Sequence, residues 1–219
     1  MTDDSLNARL AEISGQLGSA LPAEALGVLF EEQRRLGEEG RTPALVKPGD
    51  VLPTATLTGP DGVPVDLAEA LGDGPAVVVF YRGGWCPYCN LTLRTYQQEL
   101  LPHLGEFGAT LVAVSPQAYD GSLDTKGAAG LEYAVLSDIG NTLARELGIT
   151  HAVSEEVRRT QTGLGLDLGE VNGTGRWELP HPTVLVVSAD RTVLLADVHP
   201  DFSTRTEVST VLEALRSER

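Results

Sequence analysis

Apolar residues recur at helical spacing near the start of the chain. Leu6, Leu10, Ile13 and Leu17 share one face, and Leu26, Leu29 and Phe30 share another. Residues 1–40 therefore read as two amphipathic helices. Pro22 opens the second at its first position, and Gly37, Gly40 and Pro43 mark its end. From Gly49 the texture changes to short β-branched runs between turn residues. Asp61-Gly62, between two apolar stretches, is a hairpin signal. The run from Ala76 to Tyr81 is continuously apolar, as in a strand buried on both faces. Leu91 to Leu104 reads as a helix, Thr110 to Val114 as a strand, and Asn141 to Leu147 as a short helix closed by Gly148. Thr183–Val187 and Thr192–Leu195 form an antiparallel hairpin through Ala189-Asp190, and Glu207 to Leu215 is a closing helix.

Strands alternating with helices, then a hairpin and a helix, define an α/β fold with a sheet of mixed direction. The expected organisation is a helical extension over residues 1–43 and one domain over 44–219. The extension would pack on that domain or on a second copy of the chain, making a homodimer. Residues 150–180 fit least well. They hold a charged helical piece, Glu155 to Arg159, and then glycines. Gly163, Gly165 and Gly169 have the wrong spacing for a dinucleotide fingerprint and follow no strand, so a flexible loop is expected.

Charge narrows the choice of partners. Lys+Arg 16 against Asp+Glu 31 leaves a net charge of −15 in 219 residues. A nucleic-acid binder needs a basic face, and so does a protein held at an anionic membrane, so neither is expected. The opening MTDDSLNARL lacks a cationic region and an apolar one, and no stretch nears the roughly 18 apolar residues of a membrane span. A cytoplasmic location is expected. The glycosylation patterns at Asn90-Leu-Thr92 and Asn172-Gly-Thr174 then carry no meaning.

The two cysteines of the chain, Cys86 and Cys89, carry the candidate chemistry. A buried strand ends, Gly83-Gly84 turns the chain, and a helix begins near Cys86 with Pro87 at its first position, where a missing N–H costs nothing. Cys86 then sits at the helix cap, facing free backbone N–H groups and the positive end of the dipole. Its thiol is expected to ionise below the free value of about 8.5. Cys89 lies one turn further on, so the pair can cycle between dithiol and disulfide. A structural disulfide would close too small a loop to add much stability. A zinc site needs four ligands, and His103, His151, His181 and His199 are scattered without metal spacing, so no metal is expected. Pro182, at the start of a strand, is a candidate for a cis peptide bond.

Trp85-Cys86-Pro87-Tyr88-Cys89 resembles the active site of the thioredoxin superfamily, and Pro182-Thr183 is similar to its cis-Pro-Thr element. Several landmarks resemble the alkyl hydroperoxide reductase/thiol-specific antioxidant (peroxiredoxin) branch in its C-x-x-C-bearing form. They are Gly49-Asp50-x-x-Pro53 with Asp61-Gly62, Val112 to Pro116, Leu136-Ser137-Asp138, and Asp201-Phe202-Ser203-x-Arg205. The resemblance implies a thioredoxin-like fold and a thiol oxidoreductase that needs no cofactor. It would reduce hydroperoxides or disulfides through Cys86 and Cys89 and be re-reduced by a thiol donor. Arg82, Trp85, Pro87, Tyr88, Pro182 and Thr183 would contact substrate. Cys86 is expected to attack and Cys89 to resolve.

The sequence also departs from the branch, whose members carry Pro-x-x-x-Thr/Ser-x-x-Cys and an arginine from a later strand. Counting back from Cys89 puts Cys86 at the Thr position and Arg82 at the Pro position, which exchanges the roles of the two sulfurs. No arginine stands near His181-Pro182. Arg82 is a candidate to stabilise a thiolate or a peroxide oxygen. The competing readings are a thioredoxin- or glutaredoxin-like disulfide reductase without peroxidase activity, and a redox-sensing interaction module.

Overall fold

The computed structural model describes residues 5–39, 45–118 and 130–218. The expected boundary at 43/44, together with Gly40 and Pro43, lies outside the described residues. The central sheet has seven strands: β1 (Thr56–Thr58), β2 (Pro64–Asp66), β3 (Ala76–Phe80), β4 (Thr110–Ser115), β5 (Ala134–Ser137), and, after a separate two-stranded ribbon of β6 (Thr150–Ala152) and β7 (Glu178–Pro180), β8 (Thr183–Val187) and β9 (Val193–Val198). Their order is β2-β1-β5-β4-β3-β8-β9. The three central strands β3, β4 and β5 run parallel, while β8, β9, β1 and β2 are antiparallel to their neighbours. This is the mixed sheet that the sequence predicts.

Alternation along β3 explains its unbroken hydrophobicity. Val77, Val79 and Tyr81 join a core with Leu93, Tyr96, Leu6, Leu10 and Leu215. Ala76, Val78 and Phe80 join a second core with Leu67, Leu71, Leu143 and Leu147. Successive strand residues point to opposite faces, so a strand covered on both sides must be apolar throughout.

The helices are α1 (Leu6–Ala20), α2 (Ala23–Glu39), α3 (Leu67–Leu71), α4 (Pro87–Thr95), α5 (Leu101–Leu104), α6 (Thr142–Glu146), α7 (Glu155–Gly163), α8 (Leu168–Val171) and α9 (Val208–Ser217). The predicted helix over 91–104 is in fact a composite. A wide turn, Tyr96–Leu100, separates α4 from α5, and the Leu101 N–H reaches back to the Tyr96 carbonyl. Pro102 follows at once. It has no N–H to give to a regular ladder, and its ring crowds the preceding turn.

Two expectations fail. In α2 the buried stripe is Ala25, Glu32 and Leu36, whereas Phe30 is 40% exposed, so the helix is rotated from the face expected. Residues 150–180 are not a loose loop. β6 and β7 pair antiparallel, with His151 opposite Leu179, and tie off an excursion containing α7 and α8. Gly165, Gly173 and Gly175 take positive φ at its turns, and a Cβ on Gly169 would stand 3.1 Å from Gly175 backbone. The glycines serve sharp turns and close packing.

Candidate active site

β3 delivers the chain to the C-terminal edge of the parallel strands, where the loop from Arg82 to Trp85 begins. Gly83 has φ +146, and a Cβ there would fall 2.4 Å from Trp85 Nε1. No other residue fits without displacing the tryptophan. The Gly84 N–H donates to Gln117 Oε1 at 2.8 Å, and Asn90 Nδ2 donates to the Gly84 carbonyl at 2.8 Å. The loop is thus fixed from both sides before the helix starts. Pro87 takes the first helical position and Cys86 the cap, as the sequence predicts.

The electrostatics differ from expectation. Cys86 makes no side-chain cap hydrogen bond. Burial is the largest influence on it and pushes its thiol well above the ordinary value. The hydrogen bond it shares with Cys89, and the charge there, push the same way. Burial also opposes ionisation of Cys89, but it is outweighed by the Cys86 hydrogen bond and the charge of Arg205, with smaller help from the Arg82 backbone and guanidinium. The Cys89 thiol is therefore lowered. A cap position favours an anion only when water and backbone donors reach it, and Cys86 is 1% exposed. Both directions make Cys89 the sulfur of the pair that ionises more readily.

Arg205 is the residue that sequence reasoning left out of the site. Its Nη2 donates to Cys89 Sγ at 3.2 Å, while Nη1 donates to the Phe202 and Thr204 carbonyls at 2.6 Å each. The signal was present in the Asp201-Phe202-Ser203-x-Arg205 landmark, but nothing local links it to a cysteine 116 residues away. The helical extension holds this arginine. Asn7 Oδ1 accepts from the Arg205 N–H at 2.9 Å, and Asn7 Nδ2 donates to the Arg205 carbonyl at 2.8 Å. The Glu207 carboxylate accepts the N–H groups of Leu6 and Asn7, both at 2.9 Å, and so closes the N-terminus of α1.

The other side of the sulfur pair opens on a cleft of about 80 Å³, floored by Cys86 and Arg82 and walled by Leu29 and Glu32 of α2, Val157 and Gln161 of α7, and Phe202. The Arg82 guanidinium stands 4.1 Å from the Phe202 ring centre and 5.1 Å from that of Trp85. Tyr88 packs edge-on to Phe202 at 6.4 Å, and its hydroxyl shares a 2.8 Å hydrogen bond with Ser14 of α1. Arg82, Trp85, Pro87 and Tyr88 thus surround the cysteines. Pro182 and Thr183 stand apart from the cleft lining. Thr183 is buried opposite Phe80 in the sheet, and its hydroxyl donates to the His181 carbonyl at 2.9 Å. The peptide bond before Pro182 is trans, as are all those among the described residues, so the cis element is absent.

Pairing of β6 with β7 brings His151 and His181 together with ring centres 4.7 Å apart. Burial is the main cause that lowers both, to about 3 and about 4, with the Arg82 charge adding to it. Among the described residues, no group of three or more His, Cys, Asp or Glu side chains is placed to hold a metal ion. No helix among them is long and apolar enough to cross a membrane.

A mixed sheet flanked by helices, with a C-x-x-C at the start of the helix after a central strand, defines the thioredoxin-like class. Within that class, the model of the AhpC/TSA family matches residues 48–196, and the chain belongs to that family. A protein of Mycobacterium tuberculosis (strain H37Rv) that carries a provisional peroxiredoxin name is 25% identical over 174 residues. The match covers 80% of this chain and 99% of that one. Among solved structures, the peroxidoxin BcpB of the same organism superposes with a TM-score of 0.61 at 22% identity, covering 80% of this chain and 99% of its own. Reduced Prx3 of Vibrio vulnificus in complex with hydrogen peroxide gives 0.61 at 19% identity, covering 78% and 99%. The protein is thus a thiol-dependent oxidoreductase of the peroxiredoxin type. The disulfide-reductase and sensor readings are not favoured. Leu29, Glu32, Phe202 and Arg205 all lie outside the matched residues, although they shape the site.

Proposed function

We propose that the protein reduces hydroperoxides with Cys89 as the attacking thiolate and Cys86 as the resolving thiol, the reverse of the order expected from the helix cap. One observation carries this reading: Cys89 Sγ accepts from the Arg205 guanidinium at 3.2 Å, a contact that Cys86 does not have. In the first step Cys89 S⁻ attacks the terminal oxygen of ROOH and the O–O bond breaks. The leaving RO⁻ takes a proton and departs as ROH, and Cys89 becomes a sulfenic acid. Cys86 then attacks the Cys89 sulfur, water leaves, and a disulfide remains. A thiol donor returns both to the reduced state. Residues up to about 43 are read as an extension that completes the site, and a cytoplasmic setting suits a pair that must be re-reduced.

Stopped-flow mixing of reduced protein with hydrogen peroxide tests the assignment. Cys86→Ser is expected to keep the first step and stop at a sulfenic acid that a dimedone probe captures. Cys89→Ser is expected to lose the first step. Peroxide consumption by Cys89→Ser at the wild-type rate would overturn it.

A further inference from the structure

The cleft holds polar groups that the peroxide chemistry leaves unused. Arg82 is 6% exposed and Gln161 is 5% exposed, and both line the cleft. Arg82 Nε and Gln161 Oε1 are buried and have no hydrogen-bond partner among the described residues. The carboxylate that also faces this space, Glu32, is held by Arg35 at 3.0 Å and by the Ser154 N–H at 3.3 Å. Arg82 therefore stands against two aromatic faces with its Nε donor free and no carboxylate paired with it among the described residues. A buried cation with an unused donor is costly, and a bound anion removes that cost.

We propose that this cleft admits a low-molecular-weight thiol bearing a carboxylate, which anchors on Arg82 and re-reduces the Cys86–Cys89 disulfide by attacking Cys86. The inference rests on the proposed dithiol–disulfide cycle and names its electron donor. Size argues for a small molecule. The cleft is narrow, about 80 Å³, and Cys86 at its floor is 1% exposed. A small thiol reaches a sulfur enclosed by Leu29, Val157 and Phe202 with less displacement of these walls than the backbone of a protein loop. Direction argues the same way. Cys86 lines the cleft and Cys89 does not, and attack on Cys86 expels the sulfur that Arg205 stabilises. In disulfide exchange the better-stabilised thiolate is the faster leaving group.

The step balances as ordinary exchange. RS⁻ attacks Cys86 Sγ, the Cys86–Cys89 bond breaks, and Cys89 leaves as the thiolate. A second RS⁻ attacks the outer sulfur of the R–S–S–Cys86 adduct, releasing RSSR, and Cys86 takes up a proton. Two thiols are oxidised and one protein disulfide is reduced.

The full-length protein, oxidised with diamide so that no peroxide step is involved, is mixed with 3-mercaptopropionate, with cysteamine, or with a thioredoxin-type protein dithiol. Recovery of two free thiols is followed, and rates are corrected for thiolate fraction. Mercaptopropionate is expected to be faster than cysteamine by about tenfold, the scale of one charge-assisted hydrogen bond. Arg82→Met should bring the ratio near one and Arg82→Lys should restore part of it. Leu29→Glu, at the half-buried rim, should lower the ratio in a variant that keeps Arg82. Equal rates for the two small thiols, or a protein dithiol faster than both, would overturn the proposal. A diamide-oxidised protein that follows the expected order but whose reduced form ignores peroxide would sink the peroxidase reading alone.

Discussion

The two sides of the sulfur pair are built on opposite principles. Behind Cys89 the polar groups are satisfied. Arg205 divides its donors between two carbonyls and a sulfur, the Tyr96 hydroxyl donates to the Thr206 carbonyl at 2.7 Å, and Thr206 Oγ1 donates to Asp197 at 2.9 Å. In front of Cys86, Arg82 Nε and Gln161 Oε1 are buried without partners among the described residues. A satisfied network fixes geometry, and an unsatisfied one costs stability until something fills it. The rear wall positions a charge, and the front wall waits for a ligand.

The largest effect that tests this contrast should come from the rear. Arg205→Met removes the cation that favours the Cys89 thiolate, so that sulfur should ionise at higher pH. Thiolate absorbance near 240 nm, titrated against pH, should shift upward by about one unit or more, and peroxide reactivity should fall most steeply near pH 5, where the lost thiolate fraction is largest. An unshifted titration would show that Arg205 does not set the charge. Next comes Asn7→Ala, which deletes two hydrogen bonds to the Arg205 backbone. Urea unfolding should show a loss of about 1–2 kcal/mol, with a smaller rise in the same thiolate titration.

Acid should act through the stacked histidine pair of the β6/β7 ribbon. His151 and His181 are held neutral in the fold, at about 3 and about 4, against an ordinary value of 6.5. The unfolded chain binds more protons between these values, so stability is full above about pH 6.5 and falls as pH drops toward 4. His181→Asn should flatten the slope of unfolding free energy between pH 6.5 and 4.5, by about 1 kcal/mol over that range after allowance for solvent near His151. The smallest effect is Gln161→Leu. Removing an unpartnered buried acceptor should leave stability unchanged or raise it by about 1 kcal/mol in thermal unfolding, where a satisfied rear-wall group would lose as much.

What could be read in advance follows from the range of the interactions. β3, the 61–62 hairpin and the Pro87 helix start declare themselves through local period and turn chemistry. The packing of α1 was legible because Leu6 and Leu10 are spaced for one face, and both are buried. β6 and β7 were not, since strands of three residues carry too little pattern and exist only by pairing with each other. The wall formed by Val157 and Gln161 was lost with them. The expected and the proposed roles of Cys86 differ for another reason. A helix cap favours a thiolate, but burial acts against Cys86 and a distant arginine favours Cys89, and neither influence shows in a five-residue motif.

The bonds between Asn7 and Arg205 join residues 198 apart. A ribosome makes the C-x-x-C long before it makes the guanidinium that charges it. The bonds that brace Arg205 beside Cys89 are therefore complete only once α1 has docked onto the segment around Glu207, so the site's two halves come from opposite ends of the chain.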